Sequence, residues 1–309
     1  MQLLGLHHIT AIASDPKVNH DFYTRVLGLR FVKRSVNQDD PGTYHLYYGD
    51  EVGAPGTALT FFPWQGMRRG RSGNGQAIAT AFSIAAGSLA YWQQRLTRLG
   101  IATTPLPARF GDDVLAFTDP DGLTLELIAT NQPDPRVPAP SADVPREHGL
   151  RGFHSTTLAV VDAAATADLL TTVMGYRRVA TAGNRTRYTV AAGAPGSAVD
   201  LVVDPALPRG LSGAGTVHHI AFRVADDAQQ LVAHAALEER AVGVSPIIDR
   251  AYFKSIYYRE PSGVLFEIAT DQPGFAIDES VATLGTRLSL PPRLEPQRAE
   301  IEAALPSLD

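Results

Sequence analysis

Internal repetition is the feature of this chain that most restricts its fold. The stretch "DFYTRVLGLRFV" at residues 21–32 runs parallel to "DLLTTVMGYRRV" at 168–179, sharing Asp, Thr, Val, Gly, Arg and Val at matching offsets. Each reads as an amphipathic helix closed by a glycine cap and running into a strand. "GAPGTALTFF" from Gly53 and "GAPGSAVDLV" from Gly193 read as Pro-Gly turns that open strands. "DPDGLTLELIAT" (119–130) and "EPSGVLFEIAT" (260–270) each place a carboxylate, Glu126 or Glu267, four residues after a turn glycine. Four units follow, near residues 5–64, 76–130, 150–204 and 214–272, each a strand, a helix and a meander of about three strands.

A sheet of this kind has one face to bury, so units must pair and curl around a shared concavity. The expected fold is therefore α+β, with four βαβββ modules paired into two curled-sheet, half-barrel domains. Along the chain this divides into a module pair at 1–130, a linker at 131–149 with five prolines, a module pair at 150–272, and a tail at 273–309. In the tail, residues 295–305 read as a short helix covering a domain surface or a subunit contact, which leaves a homo-oligomer open.

Composition narrows the chemistry. The 309 residues include no cysteine, so disulfides, thiolate nucleophiles and Cys-ligated metals are excluded, and any metal must be held by nitrogen and oxygen. A net charge of −5 offers no basic surface for nucleic acid, and no run of about 20 apolar residues suggests a membrane span. Small molecules are the default partners and the cytoplasm the default location.

Histidine doublets carry the strongest chemical signal. "GLHHITAI" (5–12) and "VHHIAFRV" (217–224) open the first and fourth units. Alignment of the first strands sets His8 against His219, with His154 of "GFHSTTLAV" and Ala79 in the other two units. Alignment of the last strands sets Glu126 and Glu267 against Thr60 and Asp200. If units one and four share a cavity, the site is His8, His219 and Glu267, two imidazoles and one carboxylate with open positions, as in non-haem iron(II) centres. If units three and four pair, the set is His154, Asp200, His219 and Glu267, a four-ligand site suited to a Lewis-acid isomerase. An ionised Glu267 among Leu, Phe and Ile is costly to bury without a cation or strong donors. Glu126 meets the same cost without a histidine opposite it, and is read as a vestige or as salt-bridged. His45 in "GTYHLYYGD" is assigned a structural role. The glycine- and arginine-rich "RRGRSGNGQ" (68–76) lacks phosphate-loop spacing, and no G-x-S-x-G nucleophile elbow occurs.

With "GLHHITAIASD", "TVHHIAF", "EPSGVLFEIATDQPGF" and the tail "LPPRLEPQRAEIEAALP", the chain resembles the vicinal-oxygen-chelate superfamily, and within it the ring-cleaving dioxygenases of hydroquinones. The resemblance implies iron(II) or manganese(II) on His8, His219 and Glu267. It also implies that His7, His218 and Thr10 stand just behind the ligands, and that Arg250 and Tyr257 lie near the substrate, a small dihydroxylated aromatic met by dioxygen. Catechol-cleaving relatives draw their histidines from the third and fourth units, but here the doublet lies in unit one, which favours His8 over His154. A glyoxalase-like isomerase or thiol transferase, and an aromatic-drug-binding protein of the bleomycin-resistance type, are the competing expectations. The residue types suit the implied roles: a tyrosine hydroxyl donates to a phenolate, an arginine favours an anion, and His218 is suited to proton transfer.

Overall fold

The computed structural model describes residues 3–190 and 195–308. Module one comprises β1 (Leu6–Ala13), α1 (Pro16–Asp21), β2 (Arg30–Asn37), β3 (Asp40–Gly49) and β4 (Ala58–Pro63). Module two comprises β5 (Gln76–Ala85), α2 (Leu89–Arg98), β6 (Thr103–Arg109), β7 (Asp112–Thr118) and β8 (Thr124–Thr130). Module three comprises β9 (Phe153–Val160), α3 (Ala164–Asp168), β10 (Arg177–Ala182), β11 (Arg185–Thr189) and β12 (Ala198–Val203). Module four comprises β13 (Val217–Val224), α4 (Asp227–Glu239), β14 (Ile248–Asp249), β15 (Lys254–Arg259) and β16 (Leu265–Thr270).

The repeated helical segments form for the reasons their sequences give. Asp15 caps α1 by accepting from the Val18 amide, and the helix continues as a π-helical turn over Phe22–Val26. Gly28 and Gly175 then reverse the chain at φ of 69° and 74°, a region a Cβ disfavours. Of the repeated Pro-Gly turns, the second begins at Gly193, which lies outside the described residues; its strand β12 starts at Ala198.

Sheet topology corrects the division by chain order. One eight-stranded sheet runs β14-β15-β16-β13-β1-β4-β3-β2 and the other β10-β11-β12-β9-β5-β8-β7-β6. Each sheet therefore joins one module from residues 1–130 to one from 150–272: module one pairs with four, and two with three. The seam is antiparallel, β1 on β13 and β5 on β9, so the first strands of the partners lie side by side and their histidines can meet. The linker crosses between sheets, with Arg136 Nη1 donating to the Gly56 carbonyl at 3.2 Å.

Alternation along the seam separates core from concave face. Ile9, Ile220, Phe222 and Phe266 join Ala233 and Leu237 of α4 in the apolar core. The tail lies along module one. Ser35 Oγ donates to the Ser289 carbonyl, Tyr44 donates to the Pro306 carbonyl, and α5 spans Arg298–Ala304 after a 3-10 segment from Pro292. The tail helix thus begins three residues later than its sequence suggested, because Pro296 interrupts the first turn. No helix among the described residues is long and apolar enough to cross a membrane.

Candidate metal centre

His8, His219 and Glu267 converge on the concave face of the sheet shared by modules one and four, and all three are buried. His8 Nε2 and His219 Nε2 lie 3.3 Å apart, and Glu267 Oε2 is 3.3 Å from the first and 3.0 Å from the second. Ligand bonds of about 2.0–2.2 Å put donor atoms roughly 3.0–3.4 Å apart on one face of a coordination shell, so the triangle has the size a divalent ion requires. Glu267 Oε2 is fully buried and accepts no well-aligned hydrogen bond, whereas Oε1 is held by Ser255 Oγ. Burial alone would raise the Glu267 pKa, but the two imidazoles hold it well below the usual carboxylate range. The donor set fits a metal ion.

Bulges in the seam explain why the histidines come in pairs. Between the partners Leu6↔Phe222 and His8↔Ala221, β1 carries one extra residue, His7. Between Thr10↔His219 and Ala11↔Val217, β13 carries one extra residue, His218. A bulge turns a side chain that alternation would send away, so each outer histidine reaches its neighbour: His7 Nδ1 lies 2.9 Å from His8 Nδ1, and His218 Nδ1 lies 2.8 Å from His219 Nδ1.

Tautomers follow from the far end of the chain. The Thr270 carbonyl, 3.1 Å from His7 Nε2, can only accept, so His7 carries its proton there. Burial and the neighbouring His8 press the His7 pKa down to about 3, keeping it neutral, so its Nδ1 accepts from His8 Nδ1–H. His8 thus commits Nδ1 to His7 and turns Nε2 toward Glu267 and His219. His218 is likewise pressed to about 3, first by burial and then by His219, and burial also lowers His219.

The same register shows how each last-strand corner is held. Glu267 sits beside Tyr257 on β15, and Thr60 beside Tyr47 on β3. Two residues before each tyrosine stands the group that bonds the corner: Ser255 to Glu267, and His45 Nε2 to Thr60 Oγ1 at 2.8 Å. Thr60 also bonds Thr10 Oγ1 at 2.7 Å, and Tyr47 bonds His45 Nδ1 at 2.7 Å. The fourth corner is thus neutral and already satisfied. Extending the repeat alignment to the third strands would have nominated Tyr47, which sequence reasoning passed over, and set His45, read there as structural, in the place of Ser255.

A cavity of about 320 Å³ opens onto the centre. His45, Phe62, Trp64, Phe253 and Leu265 supply its apolar walls, while Arg250 and Tyr257 supply polar groups. Arg250 Nε donates to the Tyr257 hydroxyl at 3.1 Å, with its guanidinium carbon 5.2 Å from the ring centre. Burial and the Glu267 charge push the Tyr257 phenol up, so it keeps its proton.

Among the described residues, the second sheet holds no such centre. His154 is the bulged residue on β9, between Ala81↔Ser155 and Phe82↔Phe153, so it takes the place of His7 or His218, and Ser155 stands where a ligand would. This corrects the alignment of His154 with His8 and His219. The four-ligand set is not assembled either, because His154 and Asp200 belong to the other sheet. Arg109 holds Glu126 through two contacts of 2.5 and 2.8 Å, and Arg187 and Arg185 hold Asp200.

The profile of the Glyoxalase/Bleomycin resistance protein/Dioxygenase superfamily matches residues 5–127 and 152–268. The chain belongs to this superfamily. It is 46% identical over 98% of its length to the Bacillus subtilis protein named "Putative ring-cleaving dioxygenase MhqO", covering 96% of that relative. It is 35% identical to the chlorohydroquinone/hydroquinone 1,2-dioxygenase of Sphingobium indicum, over 96% of this chain and 94% of that one. A crystal structure of a Bacillus subtilis dioxygenase-type relative superposes with a TM-score of 0.95 at 45% identity, covering all of this chain and 98% of its own. Glyoxalase I from Zea mays shares the fold at a TM-score of 0.66 and 14% identity, covering 92% of this chain and 97% of that one.

Proposed function

We propose that this member of the superfamily is a metal(II)-dependent dioxygenase that opens hydroquinone-type rings, with His8, His219 and Glu267 holding iron(II) or manganese(II). The observation that carries the reading is the buried triangle of donor atoms, one edge of a cavity whose walls suit a single aromatic ring. An apolar cavity of about 150 Å³ holds benzene, so about 320 Å³ leaves room for substituents and a diatomic gas.

The bound metal supplies a Lewis-acidic, redox-active point at which a phenolate oxygen and dioxygen meet. This chain's residues do the rest. His7 and His218 fix the ring planes and tautomers of His8 and His219, and Ser255 orients Glu267. If His219 presents a bare Nε2, its Nδ1–H donates to His218, whose proton then resides on Nε2 beside the cavity. Tyr257 keeps its hydroxyl proton and donates to an anionic substrate oxygen, and Arg250 favours the ionised phenol. Thr10 ties Thr60 back from the fourth corner, and Phe62, Trp64 and Phe253 exclude water.

A neutral Thr60 opposite Glu267 weighs against the four-ligand isomerase, and a buried carboxylate with an unpaired oxygen weighs against a metal-free drug-binding cleft. The test is oxygen uptake by anaerobically iron- or manganese-loaded protein. Consumption of one dioxygen per hydroquinone, faster than with catechol, is expected. No uptake with any dihydroxybenzene would overturn the reading.

A further inference from the structure

We infer that Asp39 is a specificity-determining residue that disfavours carboxylate-bearing rings at this site relative to uncharged dihydroxybenzenes. The inference rests on the ring-cleavage reading for the identity of its ligands, and on the cavity's charge distribution for its direction. Of the residues lining the cavity, Arg250 is the one permanent cation, and the anion nearest it is Asp39, with Oδ2 3.6 Å from Arg250 Nη1. Asp40, the next residue along the hairpin, is engaged by Trp64 Nε1 at 2.8 Å and by Thr43. Glu267 belongs to the donor triangle itself, with Oε1 held by Ser255.

The placement of Asp39 is built into the fold. It sits at the tip of the β2–β3 hairpin, where its amide donates to Asn37 Oδ1 at 2.9 Å. The hairpin is tied down on both sides: Gln38 Nε2 donates to the Arg250 carbonyl at 3.3 Å, and Arg293 of the tail donates to the Gln38 carbonyl at 3.0 Å. The carboxylate itself is largely exposed, so the hairpin, not burial, holds it over Arg250.

The consequence is that the one guanidinium lining the cavity already faces a carboxylate. An ionised phenol, favoured by the metal and Arg250 together, brings no further charge to the rim. A second carboxylate, carried on the ring beyond reach of the metal, would find Arg250 as the one cation of the lining and would have to displace Asp39 from it. Discrimination of this kind comes from leaving the wrong ligand's charge uncompensated, not from better contacts to the right one. Because Asp39 is exposed, the effect is moderate and screened by salt.

The experiment compares binding of hydroquinone and of (2,5-dihydroxyphenyl)acetate, whose methylene carries the carboxylate out of the chelate that a salicylate forms with the metal, to anaerobic, metal-loaded full-length protein by calorimetric titration. Wild type should prefer hydroquinone by about a hundredfold. In Asp39→Asn that preference should fall by about threefold, Asp39→Glu should restore it, and the difference between variants should shrink at about 1 M salt. An unchanged preference in Asp39→Asn, loss of preference in Asp39→Glu, equal binding of both ligands by wild type, or binding of neither, each overturns the inference. Binding is read without oxygen, so failure of ring cleavage registers separately, as hydroquinone that binds but consumes no dioxygen when air is admitted.

Discussion

His7 and His8 are chain neighbours whose Nδ1 atoms face each other at 2.9 Å, and that contact decides which nitrogen of His8 is free at the centre. Removing it should loosen the metal without unfolding the protein. His7→Ala is expected to weaken metal affinity about 10–100-fold, and His7→Asn, whose amide oxygen can accept from His8 Nδ1–H, should recover part of the loss. Competition against a chromophoric chelator measures both, and unchanged affinity in His7→Ala would refute the tautomer argument.

Direct loss of a donor should be more severe. His8→Ala, His219→Ala and Glu267→Gln should each reduce bound metal from one ion per chain to near none, abolish the metal-dependent rise in melting temperature, and cut oxygen uptake by at least about a hundredfold. His154→Ala, on the other sheet, should bind metal as wild type does. Elemental analysis after dialysis separates the cases, and metal loss in His154→Ala would overturn the assignment.

Acid should destabilise the metal-free protein. Burial presses His7 and His218 to about 3 and also lowers His20, His45, His154 and His219, whereas an unfolded chain titrates its histidines near 6.5. With folded-state values depressed, the unfolded chain binds more protons between those limits, so stability is full above about pH 6.5 and is lost as pH falls toward 3. Asp119 runs the other way: burial raises it to about 6, favouring the folded state at lower pH. One group does not offset six, each worth up to about 1.4 kcal/mol per pH unit. Thermal melts of chelated protein at pH 7.5 and 5.5 should show the lower midpoint at 5.5, and an equal or higher midpoint there would contradict the neutral histidine network.

The sequence made much of this legible because repeats expose equivalence. His8, His219 and Glu267 could be set beside one another before any coordinates existed, since alignment of four copies marks which positions face the same way. Module pairing was less accessible: chain order favours neighbours, and only the histidine doublet in unit one pointed to the outermost copies, which the antiparallel seam between β1 and β13 joins. His154 illustrates a finer limit. A bulge adds one residue without leaving a composition signal, so a histidine aligned by eye can fall one position off the ligand row. His45 was read as structural, but its partner was not legible, since a lone histidine on a strand carries no mark of the threonine it holds on the next strand.

The second sheet offers the last test, because its concave face carries ion pairs where the first carries the triangle of His8, His219 and Glu267. Arg187 grips Asp200 through Nε at 2.7 Å and Nη2 at 3.0 Å, Arg185 adds a contact of 3.0 Å, and Asp200 is fully buried. Removing one partner leaves a buried charge short of compensation, which costs about 3–5 kcal/mol. Arg187→Met should therefore destabilise the protein by that order in urea unfolding. The double variant Arg187→Met/Asp200→Leu should lose less than the sum of the single changes, because Arg185, partly exposed, can turn to solvent while the apolar pair fills the space. Metal content should be wild type throughout, since none of these side chains reaches the sheet that holds Glu267. Additive losses would show that the charges act independently, and loss of metal would show that the two sheets are not separable in function.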